Sequence, residues 1–251
     1  MEPVITVSGM CTGYAGQPVV HDLSFEVMPG EVLCLLGPNG AGKTTTMLAL
    51  AGELPLIDGE VHFAGMKSNA PLYKRARNGM SYVTEERSVF KGMTLRDNLR
   101  IGGVSVDEAV ALFPELGKRL GVRGGLLSGG EQQMLTLARA LGRKPKLLLA
   151  DELSLGLAPL VVDRLLQAVR RAADETGTAV IMVEQHAHKA LHYTDHAIVM
   201  RRGRVGLDLT GEQARERIGE VEQAYLTSAG GDVDAGEADL AARPSAGNSA
   251  G

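Results

Sequence analysis

Residues 37–45 read GPNGAGKTT and follow the apolar run EVLCLLG. They fit the pattern G-x-x-x-x-G-K-[ST], a glycine-rich turn (P-loop) whose backbone N–H groups wrap around a phosphate chain. In that motif Lys43 reaches the β- and γ-phosphates and the Thr44 hydroxyl faces Mg²⁺. The stretch therefore predicts a nucleoside-triphosphate site between a buried strand and a helix. Its residues are Gly37, Pro38, Asn39, Gly40, Ala41, Gly42, Lys43, Thr44 and Thr45.

Residues 146–152, KLLLADE, read as a buried strand that ends in two acids. The carboxyl ends of parallel strands face the crevice in which α/β folds hold ligands. We expect Asp151 to join the water shell of Mg²⁺, and Glu152 to orient and deprotonate an attacking water. A strand that simply ends in solvated acids is the alternative, which the upstream P-loop disfavours.

A second anion-binding stretch lies far downstream, at residues 127–141, LSGGEQQMLTLARAL. Ser128, Gly129 and Gly130 precede a helix with an apolar stripe. Free amides and the positive end of the helix dipole suit an anion at such a start. The chain therefore has two predicted phosphate-binding helix starts.

The composition bounds the class of protein. The 251 residues are 44% hydrophobic and carry a formal net charge of -4, enough for one large α/β domain with an insertion. The mildly acidic balance argues against a nucleic-acid partner. No apolar run approaches the roughly 18–20 residues of a membrane span, and the N-terminus does not resemble a signal peptide. Two cysteines are too few for a disulfide framework, and Cys34 reads as a buried, reduced thiol of a cytoplasmic protein.

Strand-like and helix-like segments alternate along most of the chain, which favours a parallel α/β core. Residues from about 88 to 128 instead read as short amphipathic helices separated by glycine and proline, and predict an inserted helical subdomain. Residues 229–251 are rich in Ala and Gly without aromatic anchors, and predict a disordered tail or, as a minority alternative, a helix formed on a partner. The domain is therefore expected at 1–228.

The P-loop, the acid pair and the stretch at 127–132, in this order, resemble the ATP-binding cassette (ABC) ATPase family. The resemblance extends to about Leu226. It implies a P-loop NTPase core with an antiparallel β subdomain and an inserted helical subdomain, and ATP and Mg²⁺ as cofactors. In that family two cassettes pair head to tail. The resemblance thus implies that Ser128 and Gly130 serve the nucleotide of a second subunit, like or unlike this one.

Further roles are implied only by this resemblance. Tyr14 stands where the family stacks an aromatic residue on adenine, and residues 154–157 match the loop that communicates across the dimer. Glu85 replaces a usual glutamine that senses Mg²⁺ and the membrane partner; a carboxylate can meet Mg²⁺ through water but cannot donate as an amide does. Gln185 replaces the switch histidine, and our hypothesis is that it contacts the γ-phosphate. Because adjacent side chains on an extended backbone point to opposite sides, we expect that His186 cannot take this role without a shift in register.

Two further residues differ from the family's usual pattern, and three histidines have a spacing that could suggest a metal site. Leu153 replaces the family's usual proline and Ala150 shortens the apolar strand, and we expect both to loosen the position of Glu152 and slow hydrolysis. His188, His192 and His196 would face one metal only if a helix ran through all three. Because HAIVMRRG reads as a strand start, surface histidines are expected instead.

The stretches SLGLAPLVV and VEQHAHKAL, with Glu85, resemble the ATP-binding subunits of branched-chain amino-acid importers (LivF type). The resemblance implies an ATPase on the inner face of the cell membrane that energises permease subunits, with an extracytoplasmic substrate-binding protein as an indirect partner. An exporter or lipid-export ATPase is the nearest rival, because partners set the direction of transport. A soluble ABC protein is disfavoured by the single cassette and absence of heptads, and a GTPase by the absence of an N-K-x-D motif.

Overall fold

The computed structural model describes residues 2–65, 67, 70–184 and 187–226. Its strands are β1 Ile5–Tyr14, β2 Gln17–Val27, β3 Val32–Leu36, β4 Leu56–Phe63, β5 Met80–Val83, β6 Leu147–Asp151, β7 Ala179–Val183, β8 His196–Arg201 and β9 Arg204–Thr210. Its α-helices are α1 Lys43–Ala51, α2 Leu72–Arg77, α3 Leu95–Gly102, α4 Val106–Leu112, α5 Gly129–Leu141, α6 Pro159–Thr176, α7 Ala187–Leu191, α8 Gly211–Glu216 and α9 Ile218–Leu226.

The strands form two sheets. β2, β1 and β4 make an antiparallel sheet, and the larger sheet has the order β5-β6-β7-β3-β8-β9. In the larger sheet β5, β6, β7, β3 and β8 are parallel, and β9 pairs antiparallel with β8. This is the predicted α/β core with an antiparallel β subdomain. The parallel order puts the carboxyl ends of β3, β6 and β7 at one edge of the sheet.

The central strands β3, β6 and β7 of the larger sheet are buried on both faces, because their sequences are nearly continuous apolar runs and successive side chains point to opposite faces. On β3, Val32, Cys34 and Leu36 belong to the apolar cluster that includes α5 and α6. Leu33 and Leu35 belong to the cluster shared with α1 and the antiparallel sheet. Cys34 is a buried free thiol, as the sequence predicted.

The segment between β5 and β6 is helical. Residues 88–128, all described, hold α3, α4 and two 3-10 turns, with one isolated bridge between Thr94 and Arg123 in place of a strand. Ser105 starts α4 with a capping box closed by Glu108, which pairs two otherwise unsatisfied amides. Among the described residues no helix is long and apolar enough to cross a membrane. The tail predicted at 229–251 lies outside the described residues.

A buried arginine secures the far end of the P-loop helix. Arg75 on α2 is 1% exposed. Its Nη1 donates to the Leu50 carbonyl at 2.6 Å and its Nε to the Ala70 carbonyl at 2.8 Å. Burial lowers the Arg75 pKa. The guanidinium thus satisfies a carbonyl in the last turn of α1, where intrahelical donors run out.

We expect Arg75→Met to lower the free energy of unfolding by about 2–4 kcal/mol, because it leaves buried carbonyl oxygens without donors. Urea denaturation measures this change. Lys74→Met is the matched control on the same helix: Lys74 is exposed, and its replacement is expected to change the free energy by less than about 0.5 kcal/mol. Equal effects of the two substitutions would contradict the anchoring role of Arg75.

Candidate functional site

The P-loop joins β3 to α1 and is held against β8. Gly37 has φ 141°, and a Cβ at this position would lie 2.3 Å from the Met200 carbonyl oxygen. The Gly203 amide donates to the Ala41 carbonyl at 2.9 Å. Gly42, at φ 101°, precedes the first residue of α1. The loop is thus fixed in a conformation that needs glycine and leaves the amino end of α1 open for an anion.

Lys43 is turned back onto its own loop. Its ammonium is buried and donates to the Gly37 carbonyl at 2.8 Å and the Pro38 carbonyl at 3.0 Å. Burial lowers the Lys43 pKa, and the Glu152 and Asp151 carboxylates raise it. An ammonium has three donors, and phosphate oxygens can replace the loop carbonyls as its acceptors.

Asp151 ends β6 with its carboxylate buried. Its Oδ1 makes no hydrogen bond within the described residues. Burial raises the Asp151 pKa to about 6; the Thr44 hydroxyl and Lys43 lower it, and Glu152 and Glu85 raise it. An unsatisfied carboxylate oxygen beside a threonine hydroxyl fits Mg²⁺ with its water shell.

A cleft of about 510 Å³, here called the P-loop cleft, brings the predicted groups together. Its lining includes Gly40, Lys43, Thr44, Glu85 and Glu152. No cluster of three or more His, Cys, Asp or Glu side chains suited to a metal occurs among the described residues.

Glu152 occupies a strained turn. Its φ is 50°, in the left-handed region that non-glycine residues rarely adopt. Its amide donates to the Val183 carbonyl of β7 at 3.0 Å, and its carbonyl accepts from Leu155 at 3.3 Å. The turn thus directs a carboxylate into the P-loop cleft beside the buried Lys43.

Tyr14 lies at the end of β1 and is 50% exposed. It does not line the P-loop cleft, whereas Val19 of β2 does. Sequence analysis missed Val19; the hairpin that carries Tyr14 was the signal that could have pointed to it. The stacking of Tyr14 on adenine stays a prediction.

Ser128 lies at the start of α5, in a separate pocket of about 280 Å³ lined also by Gly130 and Val161. The Ser128 hydroxyl accepts from the Glu131 amide at 3.3 Å, and the Glu131 carboxylate accepts from the Ser128 amide at 2.8 Å. Next to it, Gly129 is the first residue of α5. No residue lines both this pocket and the P-loop cleft. The two predicted anion-binding helix starts therefore do not meet within one chain.

Gln185 and His186 lie outside the described residues, so the contact of Gln185 with the γ-phosphate stays a prediction. Two of the three histidines of the predicted pattern have different partners. His188 pairs with Glu222 at 3.0 Å, and His196, the first residue of β8, pairs with Asp208 at 2.5 Å. His196 thus lies on a strand and not on the helix that carries His188, as the sequence predicted.

Both residues that depart from the family's usual pattern, Leu153 and Ala150, are packed into the core. Leu153 is 1% exposed and Ala150 lies fully buried in β6, which continues to Asp151. The sequence drew no attention to Glu184, a buried acid that accepts a hydrogen bond from the Ser154 hydroxyl. An acid at the end of the apolar run AVIMVE was the available signal.

Comparison with known proteins agrees with this geometry. The family model described as ABC transporter matches residues 20–154. The high-affinity branched-chain amino acid transport ATP-binding protein BraG of Pseudomonas aeruginosa is 38% identical over 89% of this chain and 99% of its own length. The probable branched-chain amino acid transport ATP-binding protein LivF of Archaeoglobus fulgidus is 29% identical over 81% of this chain and 91% of its own.

Another relative is the lipopolysaccharide export system ATP-binding protein LptB of Escherichia coli, 31% identical over 79% of this chain and 87% of its own length. Among solved structures, an ATP-binding cassette of an ABC transporter in its ADP conformation superimposes with a TM-score of 0.80 at 22% identity, over 90% of this chain and 99% of that one. The chain therefore belongs to the ABC transporter family and is an ATPase.

Proposed function

We propose that the chain is the ATP-binding and hydrolysing subunit of an importer for branched-chain or other hydrophobic amino acids. The observation that supports the ATPase site is that Lys43, Thr44 and Glu152 line the P-loop cleft, with the Asp151 carboxylate beside the Thr44 hydroxyl. The domain spans 1–228, with the helical subdomain at about 88–128.

Nucleotide binding uses the P-loop backbone and Lys43. The ammonium exchanges the Gly37 and Pro38 carbonyls for β- and γ-phosphate oxygens. Thr44 and Asp151 would hold Mg²⁺, and Glu85 would contact it through water. When bound, Mg²⁺ neutralises charge on the phosphate oxygens.

Glu152 carries the proton transfer of ATP hydrolysis. Its carboxylate accepts a proton from the attacking water as general base. Gln185 contacts the γ-phosphate and Tyr14 stacks on adenine.

A second ATPase subunit completes each site. The separation of the Ser128 pocket from the P-loop cleft supports this, because no residue lines both. Residues 128–130 then meet the γ-phosphate held by the other subunit, whether identical or different.

The cargo and the membrane partner rest on the relatives. BraG and LivF are named for branched-chain amino acid transport, and permease subunits would bind this chain at the inner face of the membrane. A substrate-binding protein outside would deliver the amino acid, and nucleic acid has no part. The LptB relative supports export as the second candidate.

Affinity purification of the chain from detergent-solubilised membranes tests the transport assignment. We expect two permease subunits and a second ATPase subunit to copurify, and the associated substrate-binding protein to bind leucine-like amino acids. Recovery of a lipid-export assembly would favour the second candidate. Recovery of ribosomes or repair factors, with ATPase activity intact, would contradict transport.

Glu152→Gln is expected to keep ATP binding and lower turnover by roughly 10²–10⁴, the usual contribution of a general base. Steady-state ATPase assays and nucleotide titration separate the two effects. Glu86→Gln changes an exposed glutamate outside the cleft lining and serves as the control. Full turnover in Glu152→Gln would overturn the assigned role.

Gln185→Ala is expected to lower ATP turnover more severely than His186→Ala, because the proposed γ-phosphate contact belongs to Gln185 and adjacent side chains of an extended segment would point to opposite sides. The comparison needs ATPase assays of both variants under the same conditions. A severe loss confined to His186→Ala would reject Gln185 as the contact.

A further inference from the structure

Glu184 is a buried carboxylate to which the proposed chemistry gives no part. It follows β7 directly and is 1% exposed. Its Oε2 accepts a hydrogen bond from the Ser154 hydroxyl. Its Oε1 makes no hydrogen bond within the described residues. A buried acid disfavours folding unless it is well paired, so its presence calls for a reason.

The groups around Glu184 come mainly from the turn after β6. Burial raises the Glu184 pKa from 4.5 to about 7; the hydroxyl and amide of Ser154 and the amide of Leu153 lower it, and Glu152 raises it. On the β3 side, Glu184 raises the pKa of the buried Cys34 thiol, which burial already raises. The donors to this carboxylate thus belong to the residues that follow Glu152.

Two connections join this turn to the end of β7. One is the hydrogen bond from the Glu152 amide to the Val183 carbonyl at 3.0 Å. The other is the side-chain bond between Ser154 and Glu184. A left-handed non-glycine residue such as Glu152 persists only where its surroundings hold it in place.

Leu153 contributes to the same arrangement. A proline at this position would have no backbone N–H, whereas the Leu153 amide interacts favourably with the Glu184 carboxylate. The Leu153 side chain is 1% exposed and lies in the core cluster. The residue that the sequence suggested would loosen Glu152 therefore supplies a donor that faces Glu184.

We propose that Glu184 is a positioning residue for ATP hydrolysis: through Ser154 and the Leu153 amide it holds the turn that directs Glu152 into the P-loop cleft. The inference rests on the proposed role of Glu152 as general base. It predicts that loss of the Glu184–Ser154 connection slows the chemical step and leaves nucleotide binding in place.

Ser154→Ala removes the hydroxyl with little change in shape. We expect its single-turnover hydrolysis rate to fall by about 10- to 100-fold, because a small misplacement of a reacting group has effects of this size. The ATP dissociation constant of Ser154→Ala should stay within about threefold of the wild-type value, a difference of less than about 1 kcal/mol in binding free energy. Ser154→Thr keeps the hydroxyl and should recover most of the lost rate.

Thr178→Val is the matched control at the opposite end of β7. The Thr178 hydroxyl is buried and donates to the Pro145 carbonyl at 2.8 Å. Its loss also removes a buried hydrogen bond, but one remote from the turn at Glu152. We expect Thr178→Val to unfold at a lower temperature and to hydrolyse ATP at the wild-type rate.

Glu184→Gln separates positioning from stability. The folded chain holds the Glu184 proton more tightly than the unfolded chain, so stabilisation by this group is complete below about pH 4.5 and lost as pH rises through about 7. At pH 8 the glutamine variant should therefore unfold at the same or a higher temperature than wild type. It should still hydrolyse more slowly, because a neutral amide oxygen accepts a weaker hydrogen bond from the Ser154 hydroxyl than a carboxylate does.

These measurements separate the two proposals. If Glu152→Gln is fully active, Glu152 is not the general base, and the positioning role proposed for Glu184 fails with it. An inactive Glu152→Gln together with Ser154→Ala hydrolysis as fast as that of Thr178→Val would overturn the positioning role alone. Parallel losses of stability and rate in Glu184→Gln at pH 8 would show that Glu184 is structural only.

Discussion

The burial of the Lys43 ammonium is the constraint on which the nucleotide site depends. A buried cation needs acceptors, and Lys43 finds them in the Gly37 and Pro38 carbonyls of its own loop. The nearby Asp151 and Glu152 carboxylates raise its pKa against the effect of burial. The P-loop, the first turn of α1 and the end of β6 are therefore coupled electrostatically.

The strand order decides which groups share this electrostatic environment. β7 lies between β6, which carries the acid pair, and β3, which leads into the P-loop. The end of β7 is thus next to the turn of Glu152, and it provides both the Val183 carbonyl and the buried Glu184. Burial raises the pKa of Asp151 and Glu184 alike. The Glu152 carboxylate, which lies between them in the chain, raises the pKa of both groups further.

The same fold keeps the Ser128 helix start away from the P-loop cleft. α5 presents Ser128 and Gly130 in a pocket with Val161 of α6, while the cleft opens at the carboxyl edge of the larger sheet. α5 packs against α6 and the larger sheet in one apolar cluster, and no residue lines both sites. This separation supports the proposal that a second subunit completes the site.

The sequence by itself determined the α/β core, the P-loop and the acid pair, because each is a local pattern: an apolar run, a glycine-rich turn, a strand ending in acids. It also determined the family, through the Ser128 stretch. Only the tertiary structure decided that Val19 lines the cleft, that Leu153 packs in the core, and that Ser154 binds Glu184. Those contacts join β6 to β7 and β2 to the P-loop across long sequence separations, so they depend on strand order and register, which no local pattern specifies.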